Sequence, residues 1–171
     1  SLRIPAWAEP AFDVPAFIED GWAKFALHGK GQIRVEWKTK PVLETRAHGS
    51  CLKYGALLFA LPLAYKQEMR EYVRDYIFTP TENWAYAFDE MSAFSVSYHN
   101  VFHPYDKKNP PITISCNFVP VKWGFKEGCK DVADDNLQTI EKTGEPVKKE
   151  LWPYGATYLR MTEMPVYPGK Q

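Results

Sequence analysis

Three cysteines in 171 residues, Cys51, Cys116 and Cys129, are too few and too scattered for a disulfide framework. An odd number also leaves at least one thiol free. Neither sign of charge is in excess: Lys and Arg total 21, and so do Asp and Glu. Without a net field to draw the chain to phosphate backbones or anionic lipid, neither nucleic acid nor a membrane surface is expected as a partner. No apolar run approaches the roughly 20 residues needed to cross a bilayer. The opening "SLRIPAWAEP" lacks the basic-then-apolar layout of a secretion signal, so no address is expected in these residues and the compartment is left open. Its abrupt strand-like start reads as that of a piece cut from a longer protein.

What remains is a composition that folds. Hydrophobic residues make up 45% and charged residues 25%, and aromatics at 15% are numerous enough to need placing. Fourteen prolines and ten glycines cut the chain into short runs, which favours strands and turns over helices. Residues 33–37 alternate Ile33, Val35 and Trp37 against Arg34 and Glu36. Residues 94–98 alternate Phe94, Val96 and Tyr98 against Ser95 and Ser97. Residues 112–118 set Ile112, Ile114, Cys116 and Phe118 against Thr113, Ser115 and Asn117, and Leu159 and Met161 oppose Arg160 and Thr162. Each run has one apolar and one wet face, as a half-buried strand must. The expected fold is an all-β, antiparallel two-sheet β-sandwich, jelly-roll-like, with at most one short helix, in a single domain over residues 1–171.

The one helical candidate is "AYKQEMREYVRDY", where Tyr65, Met69, Tyr72 and Val73 recur at three- and four-residue steps; it reads equally as a solvated connection. The change from apolar strand to charge at residues 65–77 marks a candidate boundary between two sub-sandwiches. Residues 126–150 are polar without apolar period and read as a loop. "ALLFALPL", residues 56–63, does not alternate, so a strand there must be buried on both faces, as in the middle of a sheet. Gly55 before it suits a tight backbone approach, and Pro62 ends the ladder.

Several clusters bear on chemistry. His48, Ser50 and Cys51 put a base beside two nucleophile types, but no helix follows to make a nucleophile elbow, and a turn leading into a buried strand accounts for them. His99 and His103, with Cys116 and Cys129, are metal-ligand types. On an extended strand, residues four apart lie roughly 13 Å from each other, so one ion touches both histidines only if the chain turns between them. No metal and no cofactor is expected. Glu82, Asp89 and Glu90 are candidates for the paired carboxylates of glycoside hydrolysis, and also ordinary turn residues. Among the aromatics Trp84, Tyr86, Tyr98, Tyr105, Trp123 and Trp152, a platform for a sugar ring is assigned to Trp84, Tyr86 and Trp123. The competing use of such rings is core filling or docking on a neighbouring domain.

Five landmarks occur in a telling order: "LRIPAW" (residues 2–7), "YGALLFALPL" (54–63), "ENWAYAF" (82–88), "VPVKW" (119–123) and "ELWPYGATYLRMTEMP" (150–165). Together they resemble the C-terminal part of the β-L-arabinofuranosidase-type glycoside hydrolases, formerly catalogued as a domain of unknown function. The resemblance spans nearly the whole chain, and the closing motif is its most specific part. Two departures stand out: the usual Val-Asn-Gly hairpin between the first two landmarks is missing, and Ala56 stands where proline is common. In that family an (α/α)6 barrel precedes this region and carries the acid/base carboxylate, the cysteine nucleophile and the zinc site. No position here matches those motifs. The resemblance therefore implies a non-catalytic region whose partner is the upstream catalytic barrel of the same polypeptide. The alternative is a carbohydrate-binding module for a plant-type oligosaccharide.

Overall fold

The computed structural model describes residues 1–26, 29–70, 75–103, 105–129, 133–134 and 140–168. It is all-β, as the alternating runs require. Among the described residues the sole helical element is a three-residue 3-10 turn, Tyr154–Ala156. None is long and apolar enough to cross a membrane. The chain divides into two compact units, one of Ser1–Val42 with Tyr54–Ala56, the other of Leu43–Lys53 with Leu57–Gln171. Residues 65–77 fall within the second.

The first unit holds β1 (Leu2–Arg3), β2 (Glu9–Phe12), β3 (Phe17–Glu19), β4 (Trp22–Lys24) and β5 (Val35–Lys38). β4 lies between β1 and β3, and β2 pairs with β5. β3 and β4 are joined by Asp20 and Gly21 alone, both at positive φ, 49° and 74°. That is the type I′ hairpin turn, whose twist suits adjoining strands and whose dihedrals favour Asp-Gly. The motif is plain in "FIEDGWAK", although the alternation-based reading passed over it. β5 carries the predicted alternation, with Val35 and Trp37 half-buried and Glu36 and Lys38 exposed.

Into the second unit run β6 (Pro41–Arg46), β7 (Gly49–Tyr54), β8 (Leu57–Pro62), β9 (Tyr65–Arg70), β10 (Asp75–Pro80), β11 (Tyr86–Asp89), β12 (Ser95–Tyr98), β13 (Ile112–Pro120), β14 (Val147–Pro153), β15 (Arg160–Met161) and β16 (Val166–Tyr167). Nine strands form one sheet, ordered β16-β11-β13-β14-β8-β7-β6, with β12 added to β13 and β15 to β8. The ladders do not by themselves set two layers face to face; they follow this single path, whose part joining β14 to β8 curls as a half-barrel.

β8 answers the question posed by its lack of alternation. Phe59, Ala60 and Leu61 are consecutive and all buried. Since neighbours on a strand point to opposite faces, both faces are covered there. β8 is interior to the sheet, flanked by β7 and β14. The burial is narrower than the sequence suggests: Leu58 is half-buried, and Leu57, at the hairpin end, is 43% exposed. Gly55 and Ala56 form the two-residue turn between β7 and β8. Gly55 has φ +60° while Ala56 stays at negative φ, which fits a type II′ turn.

β13 is the other central strand, with β11 and β12 along one edge and β14 along the other. Its expected wet face is largely dry: Thr113 and Ser115 are buried, and only Asn117 is exposed. His99 closes over this face, its Nε2 lying 3.2 Å from Thr113 Oγ1. Among the described residues no buried side-chain nitrogen or oxygen lacks a hydrogen-bond partner. On β12 both Val96 and Ser97 are half-buried, while Tyr98 is exposed, contrary to its predicted inward role.

The helical candidate is corrected outright. Residues 65–70 and 75–80 pair antiparallel as β9 and β10, Tyr65 opposite Pro80 and Arg70 opposite Asp75. Tyr72 and Val73 lie outside the described residues. The polar stretch 126–150 is corrected at its end, since residues 147–150 already belong to β14.

The closing motif has a visible task. Met164 exchanges both backbone hydrogen bonds with Ser50, N–H to O at 2.7 and 3.0 Å, and Glu163 Oε1 accepts from the His48 N–H at 2.9 Å. It thereby fastens the turn between β6 and β7.

Candidate functional site

Asn83 turns the chain into β11, its Oδ1 accepting the Ala85 N–H at 3.1 Å, and this presents Trp84. Beyond β13, bridging between Val121 and Lys142 holds the segment that carries Trp123. The two indoles meet at 5.5 Å between ring centroids, tilted by 57°, and Phe125 joins them 5.1 Å from Trp84. Trp123 is half-buried against Ala87, Val119 and Val121, and its Nε1–H donates to the Asp134 carbonyl at 2.7 Å. The ring most open to solvent is Phe125, 47% exposed, which sequence reasoning did not single out. Tyr86 takes another place: it is buried, packs on Phe118, and has the Lys149 ammonium 4.7 Å above its ring. The structure thus brings Trp84 and Trp123 together and puts Tyr86 in the core.

His48, Ser50 and Cys51 do not converge as a triad. His48 is exposed in the turn, and Ser50 and Cys51, as neighbours on β7, face opposite sides of the sheet. Nearby, the Glu44 carboxyl binds Lys53 at 2.6 Å and Arg46 at 3.0 Å. Those two hydrogen bonds, Lys53 first, hold it below the usual carboxylate range.

Of the metal-ligand types, His99 is engaged with Thr113. His103 packs its ring edgewise against Phe102 at 4.8 Å. Cys116 is buried in β13 and Cys129 is exposed. Among the described residues no three His, Cys, Asp or Glu side chains group closely enough to hold a metal ion. Burial, with Asp89 adding to it, pushes the Cys116 thiol from 9.0 up to about 12. A raised folded value means that this thiol's contribution to stability is whole below about pH 9 and is lost as pH rises toward 12. Titration with a disulfide reagent at pH 8 is expected to modify Cys129 at once, and Cys51 and Cys116 only in denaturant. Three fast thiols would contradict the burial.

Two of the three carboxylates, those of Glu82 and Asp89, are engaged in the fold. Glu82 accepts from the Ala64 N–H at 2.6 Å and pairs with Lys149 at 3.3 Å. Asp89 Oδ1 accepts the Met91 N–H at 3.1 Å. Glu90 donates its backbone N–H to Tyr167.

A groove of about 490 Å³ opens beside the end of β8, walled by Trp152, Tyr158, Tyr65, Glu82, Lys107 and Lys108 among others. Only Trp152 and Glu82 were candidates from sequence; no pattern links the remaining positions.

No family model matches this chain, and no curated protein and no solved structure matches it either.

Proposed function

We propose that this chain is a non-catalytic β-strand region of a glycoside hydrolase resembling the β-L-arabinofuranosidases, and that it packs against and supports an (α/α)6 catalytic barrel of the same polypeptide. The order of the five landmarks motivates the family. The observation that carries a docking role is β3. This strand is the edge of its sheet, and its neighbours Phe17 and Ile18, which point to opposite faces, are 64% and 56% exposed. Bare apolar side chains on both faces of an edge strand invite pairing with other chains unless a partner covers them.

The experiment has two arms. The isolated chain is expected to release no arabinose from aryl arabinofuranosides above the blank, and clear turnover overturns the reading. Titrated with the upstream barrel, it is expected to form a complex that Phe17→Asp with Ile18→Asp weakens by about a hundredfold or more. That loss is the scale for two buried apolar side chains at about 1.5–3 kcal/mol each.

A second reading rests on Phe125 beside Trp84: a carbohydrate-binding module whose oligosaccharide binding falls on Trp84→Ala or Trp123→Ala.

A further inference from the structure

The groove beside β8 combines features that neither the scaffold reading nor the Trp84 cluster uses. Its 490 Å³ lies within the size of ligand pockets, about 300–1,000 Å³. Its lining combines apolar residues, Pro62, Leu63 and the half-buried Trp152, with the two lysines Lys107 and Lys108.

The charges do not cancel. Glu82 is the carboxylate in the lining, and both of its oxygens are engaged, one by the Ala64 N–H and the other by the Lys149 ammonium. Lys107 and Lys108 form no ion pair among the described residues. Lys107 is nevertheless held in place: its Nζ sits 3.2 Å over the Tyr158 ring, whose plane lies within 10° of that of Phe78 at 5.9 Å. Asp106 Oδ1 accepts the N–H groups of Lys108 and Asn109 at 2.8 and 3.2 Å, which ties down the turn that offers both lysines. An ammonium positioned by a ring, with its N–H donors unspent, loses less freedom on meeting an anion than a free lysine does.

We infer that this groove binds a carboxylated sugar, a uronic acid unit of an oligosaccharide, with the carboxylate between Lys107 and Lys108 and an apolar sugar face on Trp152. The Tyr158 face is taken by Lys107 and the Tyr65 ring packs edge-to-face with Phe78 and Tyr158, so Trp152 is the ring assigned to stacking. The inference stands apart from the scaffold reading, because it needs no barrel.

The probes are trigalacturonate, its methyl ester and inorganic phosphate, followed by calorimetry on the whole chain. Trigalacturonate is expected to bind at least about tenfold more tightly than the ester, the scale of one charge-assisted contact. Its affinity should also fall on raising salt, as for any exposed ion contact. The double variant Lys107→Met with Lys108→Met should remove that preference while its urea midpoint stays in place, and Lys66→Met, on β9 and paired to Glu68, should leave binding unchanged. Equal binding of acid and ester, phosphate binding as tight as the trisaccharide, or no binding at millimolar concentration overturns the inference.

Discussion

Phe59→Ala is expected to lower the unfolding free energy by about 3–5 kcal/mol, the range for deleting a buried ring. Phe59 is fully buried in the interior strand β8, in register with Pro153 of β14, and consecutive with the buried Ala60 and Leu61. Both faces of the strand are covered at this point, so the space left by the ring has no solvent to relax into. Against a total stability of about 5–15 kcal/mol for an ordinary domain, the loss is a large fraction and leaves the variant close to unfolding at body temperature. Leu57→Ala, two residues earlier on the same strand, serves as the comparison. That side chain is smaller and already 43% exposed, so about 1–2 kcal/mol should appear, from about 1.5–3 kcal/mol for a fully buried leucine. Urea unfolding followed by tryptophan fluorescence measures both. If Phe59→Ala costs no more than Leu57→Ala, β8 is not the sealed centre of this sheet.

The second large effect is predicted for a single added methyl group. A Cβ at Gly49 would lie 2.7 Å from the Met164 carbonyl oxygen and 2.9 Å from its carbon, both of them backbone atoms. No rotamer change relieves such a clash, so Gly49→Ala must push the two segments apart. What parts is the Ser50 and Met164 pair with its two hydrogen bonds. At about 0.5–1.5 kcal/mol per bond, plus part of the burial of the fully enclosed Met164 side chain, the expected cost is about 3 kcal/mol. Hydrogen exchange locates it: the amides of Ser50 and Met164 should lose protection, while those in the β13 and β14 ladder keep theirs. Gly124→Ala, where a Cβ meets nothing within 4 Å, is expected to change little. Protection retained at Ser50 in Gly49→Ala would mean that the contact yields easily.

Legibility varied along the chain for physical reasons. The alternation in residues 33–37 is faithful because β5 has one covered face and one in water. The same pattern in residues 112–118 misled by half, since Thr113 and Ser115 are small enough to be covered by neighbouring segments, and a pattern of polarity does not report coverage from a distance. In the charged stretch after β8, Tyr65 and Met69 are four apart. A step of four returns to the same face in a helix and in a strand alike, so the period does not discriminate. The pairing of β9 with β10 decided it.

The candidate sugar platform shows the same boundary. Trp84 and Trp123, 39 positions apart in sequence, are joined by the antiparallel pairing of β11 with β13, which sets Tyr86 against Pro120. That register also carries Tyr86 inward onto Phe118. The groove is assembled from still more distant parts: the end of β8, the turn at Lys107 and Lys108, Trp152 on β14, and the residues after the 3-10 turn.

By itself the sequence determined the all-β class, the two-sided burial at the middle of residues 56–63, and the scarcity of helix, because these follow from local periodicity, proline and glycine. Only the tertiary structure decided which rings meet, where Lys107 rests and which carboxylates are already paired. Those outcomes depend on strand register between segments tens of residues apart, and register is set by the packing of the whole sheet rather than by any one segment.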